Sequence, residues 1–252
     1  MGNISLIIPA YNEEKRIGKT LERYSKYFNK LKEEKKLNYE IIVVINNTTD
    51  RTENIVEEYE RTNPNIKHLN FKKGGKGFAV IEGFKYFLQR NNDLIGFVDA
   101  DMATLPEDFY DLVKNIGEYD GIIASRYIEG SIIKPKPTIE RLIAKRMFNL
   151  LVRSILFLPY RDTQCGCKLF KRESIENILP FLSMSHWAFD VDLLYTMKKA
   201  GFKIKEFPTT WSDKEYSKIN FWKAGPGMAL GVIRIRILNS VFRDLIRVYN
   251  RF

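Results

Sequence analysis

The sequence predicts an α/β fold, a mainly parallel sheet flanked by helices on both faces, and three observations predict it. Short apolar runs recur at 4–8, 39–45, 66–70, 94–98 and 120–125, each of strand length. Segments with apolar residues at helical spacing lie between them. Helical crossovers of this kind return the chain to the same edge of a sheet, so neighbouring strands run parallel. The third observation is that Leu94-Ile95-Gly96-Phe97-Val98 passes directly into Asp99-Ala100-Asp101. Open α/β sheets bind ligands beyond the carboxyl ends of their strands, where these two carboxylates stand.

Taken in order, the first strand leads into Pro9-Ala10-Tyr11-Asn12-Glu13-Glu14 and a helix expected over 15–34. Tyr11 offers a ring on which a base or sugar can pack, and Glu13 a carboxylate for ribose hydroxyls. The second strand ends in Asn46-Asn47-Thr48-Thr49-Asp50. Asp50-Arg51-Thr52-Glu53 reads as a capping box opening a helix to 59, with Asp50 taking an orphan N–H and Glu53 reaching back. Lys72-Lys73-Gly74-Gly75-Lys76-Gly77 precedes a helix over 77–88. Such a turn can seat phosphate on backbone N–H groups and lysines, although it lacks P-loop spacing; solvated lysines are the alternative. Pro106 opens the fourth helix, where a missing N–H costs nothing.

After Arg126 the pattern changes. Leu142, Ile143, Met147, Leu150, Leu151, Ile155 and Leu156 recur at helical spacing within 139–158, among Arg141, Lys145, Arg146 and Arg153. A loop over 162–170 leads to a short strand, followed by a helix over 190–200 and a strand over 202–207. One basic helix is expected from 219 to 252: Leu230, Ile233, Ile237, Val241, Leu245 and Tyr249 form a stripe beside Arg234, Arg236, Arg243, Arg247 and Arg251. A main domain over 1–218, including the amphipathic segment 138–158, with a basic segment over 219–252, is the expected organisation.

With 252 residues, 44% hydrophobic and 29% charged, the chain has material for one sizeable core and is not a disordered polymer. Met1-Gly2-Asn3 leads straight into the first strand, so no secretory signal is expected, and the expected location is cytoplasmic. No stretch approaches the roughly 18 apolar residues of a membrane span. Cys165 and Cys167 are too few for a disulfide framework or, alone, for a four-ligand zinc site, and the scatter of His68 and His186 along the chain argues against a zinc site using all four. A net charge of +10 implies polyanionic partners. Arginines beside apolar stripes, rather than among exposed stacking aromatics, argue against nucleic acid and for an anionic membrane surface. A basic helix packed on a partner copy, giving a homo-oligomer, is the alternative.

Asp99 and Asp101 offer two oxygen-rich side chains, suited to Mg²⁺ or Mn²⁺ with waters and phosphates completing the shell. The expected ligand is a nucleotide diphosphate. The simpler alternative is that one carboxylate caps the following turn while the other is solvated.

Together these pieces resemble the family 2 glycosyltransferases of the GT-A fold, a Rossmann-like architecture, and within them the polyprenyl-phosphate sugar synthases. The likeness rests on Pro9-Ala10-Tyr11-Asn12-Glu13, Gly75-Lys76-Gly77, Asp99-Ala100-Asp101, Ser125-Arg126 and Asp162-Thr163-Gln164-Cys165-Gly166-Cys167-Lys168-Leu169-Phe170. With Trp187-Ala188-Phe189-Asp190-Val191-Asp192, the chain is more similar to the dolichyl-phosphate glucosyltransferase branch than to the mannosyl branch. The resemblance implies a UDP-sugar donor, a dolichyl or polyprenyl phosphate acceptor, and amphipathic helices lying peripherally on the cytoplasmic face of a membrane.

It further implies that Pro9, Tyr11 and Glu13 hold the nucleoside, Asp99 the donor, and Asp101 the metal on the diphosphate, with Lys76 facing the leaving group. Arg126, Arg141 and Lys168 would meet the acceptor phosphate, with Asp192 an orienting group rather than an essential base. One departure stands out. The family's second strand usually ends Asp-Asp-Gly-Ser, whereas Ile45-Asn46-Asn47-Thr48 stands here. Asn47 can adopt the left-handed conformation of the glycine, and Asn46 can accept a base N–H through its amide oxygen. Transfer from GDP-mannose or to a soluble acceptor, and a non-catalytic nucleotide-sugar-binding protein, are the rival readings.

Overall fold

The computed structural model of the chain describes residues 2–135, 138–182, 188–212 and 221–240. β1 (Gly2–Ala10), β2 (Leu37–Asn46), β3 (Ile66–Phe71) and β4 (Leu94–Val98) alternate with α1 (Ile17–Glu33), α2 (Thr52–Thr62) and α3 (Lys76–Leu88). α4 (Pro106–Asn115) and β5 (Gly121–Ser125) follow, then β6 (Ile132–Lys134) and α5 (Ile139–Leu156). The chain continues through β7 (Cys167–Lys171), α6 (Arg172–Ile178), α7 (Phe189–Lys199), β8 (Ile204–Pro208), β9 (Thr210–Ser212) and α8 (Phe221–Leu238).

Seven strands form one sheet in the order β3-β2-β1-β4-β7-β5-β8. All neighbours are parallel except β7, which runs antiparallel to both β4 and β5. The period-two alternation of β2 divides the interior into two layers. Ile41, Val43 and Ile45 join Leu21, Tyr24, Phe28, Val56 and Phe109 under α1, α2 and α4. Ile42 and Val44 join Phe84, Phe87, Ile175 and Leu193 under α3, α6 and α7.

Three features differ from the sequence expectation. A second, two-stranded sheet pairs β6 with β9, segments too short to carry a periodic signal. The capping box is half formed: the Thr52 N–H donates to Asp50 Oδ1 (3.0 Å), while Glu53 lies beside His68 instead of reaching back. Within the described residues the basic C-terminal helix runs to Leu238, and the Asn239 and Ser240 side chains that follow donate to the carbonyls of Ile235 and Ile237. Val241, Arg243, Leu245, Arg247, Tyr249 and Arg251 lie outside the described residues.

α5 packs on α8. Val152 and Leu156 of α5, with Val232 and Ile235 of α8, enter the core, while Ile139, Ile143, Met147, Leu150, Leu230 and Ile233 stay exposed. No helix of the described residues is long and apolar enough to cross a membrane.

Phe28 is fully buried, with ring centroids 5.3 Å from Tyr39, 5.9 Å from Tyr24 and 6.2 Å from Phe109. Phe28→Ala therefore leaves a cavity and lowers stability by about 3–5 kcal/mol, read from the urea midpoint at unchanged m-value.

Candidate active site

The carboxyl ends of β1, β2 and β4 and the start of α3 converge on one edge of the sheet. β1 ends in a turn at Asn12, whose positive φ of 51° is tolerated by asparagine. The loop after β2 grips this turn. Asn12 Oδ1 accepts the Thr49 N–H (2.9 Å), the Glu13 N–H donates to Thr52 Oγ1 (2.8 Å), and the Glu14 N–H to Asp50 Oδ2 (3.1 Å). Tyr11 is left half exposed beside it, and the Glu13 carboxylate holds Arg16 Nε at 2.6 Å. Pro9 lies in β1, opposite Val44 of β2.

Asn47 takes the left-handed conformation, with φ of 50°. Asn46 has a different role from the expected one. Its side chain is buried, Nδ2 donating to the Ala10 carbonyl and Oδ1 accepting the Gly75 N–H, both at 2.9 Å. Its amide oxygen is thus engaged by the protein itself. Gly75 has φ of 123°, a backbone open to glycine, and this turn launches α3 with Lys76 at its first position.

Lys76 reaches Asp99 Oδ1 at 2.8 Å and Asp190 Oδ2 at 3.3 Å. Asp190 Oδ1 in turn holds Lys168 Nζ at 2.6 Å, and Lys168 also donates to the Cys165 carbonyl. Burial alone would lower the pKa of Lys76, but Asp190 and Asp99 outweigh it and raise that pKa. Burial would likewise raise Asp190, yet Lys168 and Lys76 hold its carboxyl below the usual range. Lys168 is wholly buried, so the acceptor-phosphate contact expected of it gives way to a structural one. Neither Asp190 nor this quartet was anticipated. The signal was the pair of acids at 190 and 192 opening a helix, of which the resemblance singled out the second. Asp192 is buried in α7, two residues and about 200° around the axis from Asp190, so the two acids occupy different sides of the helix.

Asp101 Oδ1 accepts the Ala103 N–H at 3.0 Å, the turn-capping contact that was the simpler alternative. Its pKa is raised, first by burial and then by the charge of Asp99. Two carboxylates one residue apart, one paired with Lys76 and the other capping the Ala103 N–H, form a donor set that a hard divalent cation fits. The loop before β7 closes over them so tightly that a Cβ on Gly166 would stand 1.8 Å from Asp99 Oδ2.

On the other side of the edge, Arg126 forms a bidentate pair with Asp162, Nε to Oδ2 at 2.7 Å and Nη2 to Oδ1 at 2.9 Å. Its N–H also donates to Asp162 Oδ2 at 3.0 Å. Despite burial, Arg126 keeps the Asp162 carboxyl below its ordinary pKa. Nη1 is the end nitrogen of this guanidinium that Asp162 does not take. Arg141 belongs to the start of α5. Cys165 and Cys167 are buried, which pushes both thiol pKa values up, and His186 lies outside the described residues. Glu53, Glu57 and His68 offer ligating atoms within 4.8 Å of one another. They belong to α2 and β3, with β2 and β1 between β3 and β4, and so form a surface group apart from Asp101.

The model of the family described as Glycosyl transferase family 2 matches residues 5–179. The chain is 34% identical over 261 residues to dolichyl-phosphate beta-glucosyltransferase of Dictyostelium discoideum, covering 98% of this chain and 76% of that protein. With the human protein of the same name it shares 31% identity over 254 residues, covering 95% and 77%. Among solved structures, glucosyl-3-phosphoglycerate synthase from Mycobacterium tuberculosis, in complex with Mn²⁺, UDP and glucosyl-3-phosphoglycerate, superposes with a TM-score of 0.68. It is 19% identical, covering 94% of this chain and 79% of that one, and the likeness is one of fold.

Asp190→Asn removes a charge from between two ammonium groups, one of them wholly buried, and is expected to cost about 3–5 kcal/mol. Asp162 and Asp190 have folded pKa values below the unfolded value of about 3.9. Their stabilisation is therefore present above that value and lost as pH falls through the lower folded values. Urea midpoints measured across acidic pH should fall steeply below about pH 4 in the wild type and less steeply in Asp190→Asn.

Proposed function

The chain belongs to glycosyltransferase family 2, and from that premise we propose that it transfers a hexose, of the glucose or N-acetylglucosamine type, from a UDP-sugar to dolichyl or polyprenyl phosphate with inversion. The observation that carries this reading is the meeting on one sheet edge of the Tyr11–Glu13 turn, Lys76, the Asp99–Asp101 pair and Arg126. The names of the relatives supply the substrate class.

In this reading Pro9, Tyr11 and Glu13 flank the nucleoside, while Asn46 supports the site by fixing Ala10 and Gly75. Asp101, with Asp99 beside it, would hold Mg²⁺ or Mn²⁺; when bound, the ion offsets charge on the diphosphate. Lys76 adds a fixed ammonium on the same side. An oxygen of the acceptor phosphate bonds to the anomeric carbon as the bond from that carbon to the diphosphate oxygen breaks, and the nucleoside diphosphate leaves. A phosphate monoester has a second pKa of about 6 and is already an anionic nucleophile at neutral pH. No strong base is needed, so Asp192 has a supporting role. Arg126, through Nη1, and Arg141 offset repulsion between the two phosphates.

The exposed residues Ile139, Ile143, Met147 and Leu150, flanked by exposed Arg146 and Arg153, suit α5 to the interface of an anionic membrane. Exposed Leu230, Ile233, Arg234 and Arg236 of α8 suit the same interface, on the cytoplasmic side.

Purified protein given Mn²⁺, polyprenyl phosphate and a panel of UDP- and GDP-sugars is expected to make glycolipid from UDP-hexoses. Asp101→Ala should reduce turnover by at least about a hundredfold; wild-type turnover in that variant removes the metal role. Turnover of GDP-mannose alone, or of a soluble acceptor alone, refutes the substrate assignment. In flotation assays the wild type should rise with anionic vesicles, whereas Ile143→Asp combined with Leu150→Asp should stay at the bottom while remaining folded.

A further inference from the structure

β9 connects the two sides of the site. On its backbone, Trp211 forms an antiparallel bridge with Thr104, and the Ser212 N–H donates to the Ala103 carbonyl at 3.0 Å. Thr104 is further held by the Tyr24 hydroxyl, which donates to its carbonyl at 3.0 Å. This is the loop in which Asp101 caps the Ala103 N–H, with Met102 at a positive φ of 59°. The side chain of Trp211 faces the other side. Its ring lies 4.8 Å from the Arg126 guanidinium carbon, on the cation already locked to Asp162. Trp211 is 8% exposed, so the contact is largely shielded from water. The Thr210 N–H, donating to Asp108 Oδ1 at 2.9 Å, and the pairing of Trp211 with Ile133 of β6 hold the strand in place.

We propose that Trp211 is a positioning residue that sets Arg126 relative to the Asp101 loop, its backbone serving the metal side and its indole face the acceptor side. The proposal rests on the reading of Asp101 and Arg126 given above. Asp162 holds the guanidinium by its edge and the Tyr127 ring lies 5.5 Å from its carbon. The indole of Trp211 adds the nearer ring, at 4.8 Å, and because the same residue is stitched to Thr104, the spacing of the two sides is set within one peptide unit. The two functions are separable, since changing the ring leaves the bridge to Thr104 in place, whereas proline at 212 removes the N–H to Ala103 and leaves the ring.

Two measurements on Trp211→Leu, Trp211→Phe and Ser212→Pro test this. In hydrogen exchange, the Arg126 amide, bonded to Asp162, should exchange about tenfold faster in Trp211→Leu and less so in Trp211→Phe, whose ring offers a weaker cation–π face. The Ala103 amide, bonded to Asp101, should be unchanged in both and accelerated in Ser212→Pro. In kinetics, Trp211→Leu should raise the acceptor KM about tenfold and Trp211→Phe about threefold, with the Mn²⁺ activation constant within about twofold of wild type. Ser212→Pro should show the converse. Equal exchange of the Arg126 amide in wild type and Trp211→Leu overturns the proposal, as does an equal rise of both kinetic constants in Trp211→Leu. A wild type that makes no glycolipid while the exchange contrast persists upholds the positioning role and refutes the proposed reaction.

Discussion

The ion quartet of Lys76, Asp99, Asp190 and Lys168 is the constraint on which the site depends. It takes one residue from each of four places: the end of β4, the start of α3, the middle of β7 and the start of α7. A buried charge without partners is costly, so the four elements stay in register or the ammonium of Lys168 is stranded. The quartet is internally neutral, and Asp101 stands outside that balance. This gives the two carboxylates of the Asp-x-Asp string different duties. Asp99 is part of the scaffold, whereas Asp101 lies outside it: burial and then the charge of Asp99 move its pKa up, while Lys168 and Lys76 move that of Asp190 down.

Much of the fold was legible because parallel strands buried on both faces write themselves as continuous apolar runs. The first five runs fell on β1 to β5 to within a few residues. The Asp99–Asp101 pair, the Tyr11 turn and the Gly75-Lys76 turn were legible for a related reason, since each sits where a strand ends or a helix begins. What the sequence did not disclose was pairing across distance. Lys168 is a charged residue in a strand, and its destination depends on Asp190, 22 residues away, on a helix whose rotation no short motif specifies. Asn46 likewise looked like a ligand, because nothing local shows that Ala10 and Gly75 converge on its amide.

Periodicity also leaves open which part of a broad apolar stripe is covered. α5 and α8 each divide their apolar residues between core and water, Val152 and Leu156 against Ile143 and Leu150, Val232 and Ile235 against Leu230 and Ile233. A single helix pair thereby closes one layer of the enzyme and keeps a second apolar surface outside. Arg141, proposed above to meet the acceptor phosphate, belongs to α5, so in that proposal one helix serves both the lipid surface and the acceptor.

Asn46 shows why an amide and a carboxylate are not interchangeable at the end of β2. A primary amide donates and accepts at once, and here it donates to a carbonyl and accepts from an N–H. An ionised carboxylate can only accept, so the family's usual aspartate would set two acceptors against each other at Ala10. An Asn46→Asp change is therefore not neutral, and it would require the Ala10 carbonyl to find another donor. One amide thereby fastens the end of β1 to the turn that opens α3, and its two bonds tie the choice of residue at 46 to the backbone on either side.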